Sequence, residues 1–352
     1  MQSLYWVLTW ACHRRCNHCY DDRFRPYVKD ALKDVVSEGQ TRYDRIIANL
    51  PDDLTWLNAK TGERARSLLV MAGGELLIDG VREELFYPAL RALKKKYGSK
   101  SPKISIQTTG DVLTPQYLDE ILELGVESIA IASIDDFHVG MEGERKFQFM
   151  QDIRDMMKSR GVHEVSIGGE KDDRLKAPDL ESKAAEDEQT FLFFGAQPDL
   201  WIGELWPRGR AFKNGLSNAG YDTNFCARWS GGKNFLNAGH EGSEVAIEPD
   251  GSIYPCCLKT KAPLGNLSEE PLLDILQSVA TLPAIQAIND GDPEAMAVSG
   301  GWSVEEFKNQ STQIDGKGRE VSNMCLGCDV FFDKVLSAQL QDLRTARLSV
   351  HG

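Results

Sequence analysis

No stretch of the chain approaches the roughly 20 consecutive apolar residues that cross a bilayer. The opening run MQSLYWVLTWACHRR is apolar but short, and nothing basic precedes it. It reads as a buried strand, not as a signal peptide. Positive charge is also scarce. Forty Lys and Arg stand against 53 Asp and Glu, a net charge of −13 over 352 residues. That balance argues against a nucleic-acid binder working by phosphate neutralisation, and no basic stripe with interleaved aromatics is present. RALKKK (91–96) reads as the solvated end of a helix, where lysines suit the dipole. There is no internal repeat and no low-complexity tract. Cysteine is missing from the whole middle of the chain. Three lie at Cys12, Cys16 and Cys19, and five at Cys226, Cys256, Cys257, Cys325 and Cys328. The expected location is cytoplasmic, where disulfides are disfavoured and metal binding or catalysis is the better reading of cysteine.

What is present is an ordinary globular composition, 41% hydrophobic, with length for about two domains. Short apolar runs alternate with amphipathic ones from Leu4 to about residue 168. Strands are expected at 4–10, 67–75, 104–110, 126–133 and 162–169. Helices are expected at 79–97, from Thr114-Pro115 to Gly125, and at 143–160. Strands buried on both faces and separated by helices imply right-handed βαβ units and a parallel sheet. Five or six units are too few for a closed eight-fold barrel, so an open or partial barrel fits. Residues 170–189 read as a solvated charged excursion, and DLWIGELW (199–206) as a return to strand. EVAIEPDGSIYPCC (244–257) reads as a hairpin around Pro-Asp-Gly. Helical stretches follow near 270–280, 303–310 and 331–346.

Cys12-His-Arg-Arg-Cys16-Asn-His-Cys19 puts three thiols in eight residues directly after a strand. Three thiolates leave one coordination position open, as at an iron–sulfur cube with a free iron. The competing reading is a zinc knuckle, with His13 or His18 as fourth ligand. Gly73-Gly74-Glu75 follows the second strand. Glycines there let backbone approach a ligand, and a carboxylate can receive an ammonium group.

Here the sequence resembles the radical S-adenosylmethionine (SAM) enzymes, whose hallmark is CxxxCxxC after the first strand with an aromatic before the last cysteine. His18 holds that aromatic position. The resemblance implies a 4Fe–4S cluster on Cys12, Cys16 and Cys19, with SAM bound at its open iron. It implies SAM contacts from Gly73, Gly74 and Glu75, a ribose contact from Ser133, and further contacts from Thr109, Arg145 and Ile167. Asp136 departs from the S-I-D-G often found there. The resemblance covers residues 4 to about 215, including WPRGRA (206–211). It implies a partial (β/α)6 TIM-like barrel over residues 1–215, and an electron donor such as flavodoxin or ferredoxin.

In the last third, Cys325-Leu-Gly-Cys328 is a CxxC pair suited to one metal centre. IEPDGSIYPC followed by LGNL (264–267) resembles the SPASM and twitch extensions of radical SAM enzymes, which carry auxiliary iron–sulfur clusters. Five cysteines are too few for two clusters. The shorter form is therefore implied, as a small α+β extension over 216–352 holding one 4Fe–4S cluster on Cys226, Cys256, Cys325 and Cys328. Cys257 is left over as a buried spare, a replacement for Cys256, or a hydrogen donor to a substrate radical. A structural zinc site of four cysteines is the alternative.

The expected activity is reductive SAM cleavage to a 5′-deoxyadenosyl radical that takes hydrogen from a substrate carbon. The net reaction is an oxidation or rearrangement of a small metabolite. The chain begins almost at its first strand, without a leader-binding domain, which leans away from maturation of a ribosomal peptide unless another protein delivers it. His138 is a candidate base or substrate contact, and Trp201, Trp206 and Trp229 are candidate cavity walls. A non-catalytic zinc or iron–sulfur scaffold and an RNA-modifying radical enzyme are the other readings. No nucleic-acid or membrane partner is expected.

Overall fold

The computed structural model describes the chain apart from residues 167–171, 173, 177–187, 198–199, 202–203, 228–232, 243 and 352, and apart from the side chains of 197, 200, 201, 350 and 351. In chain order the elements begin with β1 (Ser3–Thr9), α1 (Asp30–Gln40), α2 (Tyr43–Asn49) and the hairpin β2 (Thr55–Leu57) with β3 (Arg64–Arg66). Next come β4 (Leu68–Gly73), a π-turn (Arg82–Phe86) running into α3 (Tyr87–Tyr97), β5 (Lys103–Thr108), α4 (Pro115–Glu123), β6 (Ser128–Ile131) and α5 (Arg145–Lys158). Short pieces follow: β7 (His163–Glu164), β8 (Thr190–Phe193), β9 (Ala196–Gln197), β10 (Leu200–Trp201) and α6 (Gly209–Lys213). The last third holds β11 (Glu244–Ile247), β12 (Ser252–Tyr254), β13 (Gly265–Asn266), α7 (Leu272–Val279), α8 (Pro283–Asn289), α9 (Pro293–Ser299) and α10 (Val304–Gln310). It ends with β14 (Thr312–Ile314), β15 (Glu320–Ser322), α11 (Met324–Phe331) and α12 (Ser337–His351).

One nine-stranded sheet organises the molecule, in the order β13-β12-β11-β1-β4-β5-β6-β8-β7. From β11 to β7 every pairing is parallel. Side chains on a strand alternate between faces, and here the alternation is chemically sharp. One face carries Leu4, Trp6, Leu69, Met71, Ile104, Ile106, Ile129, Ile131, Phe191 and Phe193, all buried in the main core with the helices. The other carries Ser3, Leu68, Val70, Ser105, Gln107, Ser128, Ala130 and Thr190, which together surround one open space. Small, partly polar side chains on the inner face leave the curved sheet unfilled. The result is an α/β fold, an open barrel around a cavity.

Caps act where the sequence places them. Thr114 Oγ1 accepts from Tyr117 N at 3.2 Å to start α4, and Gly125 turns the chain away with φ +93°. Three details differ from the sequence reading. β8, not β7, pairs with β6, and β7 lies outside it at the sheet edge. The reason is composition. Phe191 and Phe193 fill a central position, whereas His163 is exposed and Glu164 pairs with Arg154, which suits an edge. The remainder of that expected strand, 167–169, lies outside the described residues, as does most of 170–189. Among the described residues of 199–206, only β10 is strand. At its far end Leu205 N donates to Asn218 Oδ1 and Trp206 O accepts from Ser217 Oγ, which replaces ladder pairing. Finally, the 244–254 hairpin does not stand apart, because β11 pairs in parallel with β1.

Candidate functional site

The cysteine loop leaves the carboxyl end of β1, the end at which open α/β sheets and barrels place their chemistry. Its backbone is tied on both sides. Cys12 N donates to Arg25 O at 3.0 Å, Glu75 N to Ala11 O at 2.9 Å, and Gly74 N to Thr9 O at 3.0 Å. Gly74 is the tightest of these contacts. A Cβ there would lie 2.2 Å from Ala11 O and 2.6 Å from Cys12 Cβ. Only glycine lets β4 end so close to the loop. The second half of the loop is held by Arg210, whose guanidinium donates to Cys16 O (2.7 Å), Asp22 O (3.1 Å) and Phe24 O (2.6 Å). Its preceding residue, Gly209, has φ +53° and packs on Tyr20 backbone where a Cβ would meet carbon at 2.4 Å.

Cys12, Cys16 and Cys19 line one cavity of about 330 Å³. Its walls come from the carboxyl ends of the central strands, including Gly73, Gly74, Thr109 and Asp135, together with His18, His138, Trp206, Glu244 and Cys257. Burial pushes the Cys12 thiol up to about 12, against a backbone hydrogen bond from Arg14, whose N lies 3.3 Å from the sulfur. Burial likewise raises Cys19 to about 11. The thiols are thus neutral until a metal takes their protons.

A buried polar group stands at one side. His138 Nδ1 lies 2.9 Å from Asp135 Oδ1, and the His18 ring meets the His138 ring edge-on with centroids 4.6 Å apart. Burial favours neutral His138, but hydrogen bonds with Asp135 and Cys16 outweigh it and raise the ring to about 9. Burial and the His138 charge lower His18 to about 4. Asp135 also accepts from the backbone N of Phe137, His138 and Ala196. Burial alone would raise its carboxyl, yet these partners bring it down to about 2.

Several residues singled out in the sequence stand behind the cavity wall. Glu75 is fully buried and its carboxylate accepts from Thr108 Oγ1, Thr109 N, Thr109 Oγ1 and Leu77 N at 2.7–3.1 Å. It locks the end of β4 to the end of β5 and so positions Thr109. Ser133, also fully buried, donates to Thr109 O at 2.7 Å. Arg145 is exposed at the start of α5, 3.8 Å from Glu142. Asp136 accepts from Lys146 Nζ at 2.7 Å and Gly143 N at 3.0 Å, bracing its own loop. His13 pairs with Asp111 at 2.9 Å. Trp206 does line the cavity. Ile167, Trp229 and the Trp201 side chain lie outside the described residues.

The second cysteine group forms a separate, smaller cavity of about 20 Å³, lined by Cys226, Cys256, Cys325 and Cys328 with Arg208, Phe225 and Met324. Cys325 and Cys328 share one face of the first turns of α11. Asn323 brings in Cys226. Its Oδ1 caps α11 by accepting from Cys325 N at 2.9 Å, and its Nδ2 donates to Gly220 O at 2.8 Å and Thr223 O at 3.3 Å. Cys256 arrives at the end of the β11–β12 hairpin. Its neighbour Cys257 points the other way, into the first cavity, which Glu244 also lines. Burial raises Glu244 to about 7, and Ser3 Oγ lies 3.3 Å from it. None of the eight cysteines is in a disulfide.

WPRGRA proves to be the brace between the two centres, a role that spacing alone does not reveal. Arg210 holds the first loop. Arg208, two residues earlier, pairs with Asp329 at 2.5 Å and lies beside the four cysteines, with its buried Nε unpartnered. Four thiolates carrying a metal cluster would supply that missing negative charge, so the residues fit an anionic metal centre. The glycine cradle at Gly74 and the N–H directed at Cys12 suit a second such group on the first loop. An aromatic wall of Tyr20, Trp206 and Phe225 separates the cavities, with centroid spacings of 5.3 and 6.0 Å.

Residues 240–296 match the SPASM family, an iron–sulfur cluster-binding domain. The matched residues take in the hairpin that bears Cys256 and leave Cys226, Cys325 and Cys328 outside. No curated protein sequence matches the chain. Among solved structures, BtrN in complex with AdoMet and 2-DOIA is 15% identical over 83% of this chain and 88% of that one, with a TM-score of 0.42. The protein anSMEcpe with AdoMet and Kp18Cys peptide is 13% identical over 98% and 99%, with a TM-score of 0.41. SuiB of Streptococcus suis bound to precursor peptide SuiA is 12% identical over 78% of this chain and 64% of SuiB, with a TM-score of 0.38. These are distant likenesses, and the functional reading rests on the cysteine centres. Among the described residues no helix is long and apolar enough to cross a membrane.

Proposed function

We propose that the protein is a radical SAM enzyme with one auxiliary iron–sulfur centre. The observation that carries this reading is the convergence of Cys12, Cys16 and Cys19 on one cavity with the glycine end of β4. A 4Fe–4S cluster on these cysteines would supply reductive cleavage of SAM to methionine and a 5′-deoxyadenosyl radical that takes hydrogen from a substrate carbon.

The chain's own residues do the rest. Gly73 and Gly74 give backbone access beside the loop, and Glu75 fixes Thr109 at the cavity edge. Arg210 and the Arg14 N–H hold the loop in shape around its sulfurs. Asp135 orients His138 against Cys16, which fixes that side of the cavity. The aromatic and aliphatic walls keep water from the reacting carbon, the protein's usual contribution to such chemistry. Residues 1–215 are proposed as the core and 216–352 as the auxiliary extension, with Cys226, Cys256, Cys325 and Cys328 as a closed ligand set. A closed set suits electron transfer with a flavodoxin- or ferredoxin-type donor better than substrate ligation.

A small metabolite undergoing oxidation or rearrangement is the proposed substrate class. A peptide side chain is the second reading. It is favoured by continuity of space, because Ser3, Leu68, Val70, Gln107, Phe194 and Glu244 line both this cavity and the wider opening inside the sheet. Cys12→Ala should abolish 5′-deoxyadenosine formation under anaerobic reduction. Cys325→Ala should lose about one cluster of iron while keeping some SAM cleavage. Unchanged cleavage in the first variant, or unchanged iron in the second, would remove the corresponding assignment.

A further inference from the structure

Cys256 and Cys257 are adjacent in sequence and serve different cavities. Cys256 belongs to the four-cysteine set. Cys257 is buried and faces the cavity that holds Cys12, Cys16 and Cys19, a cavity it shares with the Glu244 carboxyl. A fifth thiol is superfluous to a centre of four, and this one opens into the cavity of the first cysteine loop and not into the four-cysteine set. Glu244 in turn lines both this cavity and the wider opening beyond it. It therefore links the thiol to the outside.

We propose that Cys257 is a catalytic residue that returns a hydrogen atom to the substrate radical, so that the net reaction leaves the substrate's oxidation level unchanged. This rests on the proposed function above. The S–H bond is weaker than an ordinary C–H bond, so a carbon radical takes its hydrogen downhill. The new bond is C–H, the broken one is S–H, and the residue is left as a thiyl radical. One electron from a reduced flavodoxin- or ferredoxin-class carrier and one proton through Glu244 restore the thiol. Each turnover then consumes one SAM, two electrons and one proton, and yields methionine, 5′-deoxyadenosine and a substrate with the same atoms. The product class is an epimer or isomer. Hydrogen leaves one face of a carbon and is returned from wherever Cys257 stands, without a ketone or double bond being formed.

The test needs no knowledge of the substrate. Reduced protein is incubated with SAM alone in deuterium oxide, where the Cys257 thiol and the Tyr5 and Tyr20 hydroxyls all exchange their hydrogens, so the variants decide which of these donors supplies the label. Wild-type protein should give 5′-deoxyadenosine carrying solvent deuterium. Cys257→Ser, which keeps a hydrogen-bonding group toward Glu244 but lacks the weak bond, should lower that deuterium by about tenfold or more, and Cys257→Ala should do the same. Iron and sulfide content of both variants should equal wild type, and Tyr20→Phe should retain the label. Label kept in both Cys257 variants, label lost in Tyr20→Phe, or iron lost from the Cys257 variants would each overturn the proposal. Unlabelled 5′-deoxyadenosine from the wild type would overturn it alone. No 5′-deoxyadenosine at all would overturn the proposed function together with it.

Discussion

Gly74 shows how little freedom a single position can have. Its missing Cβ is the space into which Ala11 O and Cys12 Cβ fit. Gly74→Ala must push the loop off the end of β4, an overpacking of about 1–3 kcal/mol. The expected outcome is a lower melting temperature and loss of iron from the first centre with the auxiliary iron retained, read by metal analysis of Gly74→Ala alone, which should keep about one cluster, and in a Cys325→Ala background, which should keep none. Glu244 gives a second prediction at this scale. Its carboxyl rises from an ordinary 4.5 to about 7 on folding, first because of burial. The folded state therefore holds the proton more tightly than the unfolded state. The stability this contributes is complete below about pH 4.5 and lost as pH rises through about 7. Denaturant titrations of wild type and Glu244→Gln should show the wild type losing ground against the variant across that window. Parallel pH curves would contradict the assignment.

Helix α11 is the element on which the auxiliary centre depends. Asn323 caps it and, with the same side chain, holds the loop that leads to Cys226. Asn323→Ala should cost about 1–2 kcal/mol as a lost cap and should also lower auxiliary iron, since Cys226 loses its tether. A stability loss with full iron content would mean that the loop is held elsewhere. The elements themselves were unequally legible in sequence. β1 and β4 are nearly unbroken apolar runs, β5 and β6 carry an isoleucine at every second position, and all four stand out, as do α3 to α5. By contrast α1 buries only Val36 and Gly39, and β2 and β3 bury none of their residues fully. Strands of three residues are too short for an alternation to show, whereas α1 does carry a helical stripe, Leu32, Val35, Val36 and Gly39, which the sequence expectations leave out. Helices α8 and α9 are seven residues each, too short for a period to declare itself.

Across the whole molecule the two cysteine groups, more than 200 residues apart in sequence, are fastened into one body. β11 extends the sheet beside β1. A buried ionic knot joins the first loop to the hairpin, with Lys259 Nζ 3.0 Å from Asp21 and 2.8 Å from Glu248 and Arg23 pairing with both acids at 2.6 and 2.7 Å. Lys259→Met should destabilise the protein by about 3 kcal/mol, the low end for a broken buried pair because Arg23 still holds both carboxylates. Chemical denaturation would check it, and a change under about 1 kcal/mol would show that Arg23 alone suffices. At this scale the sequence spoke clearly about which cysteines exist and in which groups. It was silent on Arg208 and Arg210 as the brace, and on which way Cys257 turns, because those facts depend on side chains meeting across the fold. The most direct trial of the account is an anaerobic preparation, reduced and supplied with SAM, with iron, sulfide and 5′-deoxyadenosine measured in wild type and Cys12→Ala. The account predicts iron and sulfide in the wild type, 5′-deoxyadenosine from it, and none from the variant. Protein that carries zinc in place of iron and sulfide, or equal 5′-deoxyadenosine from both, would contradict it.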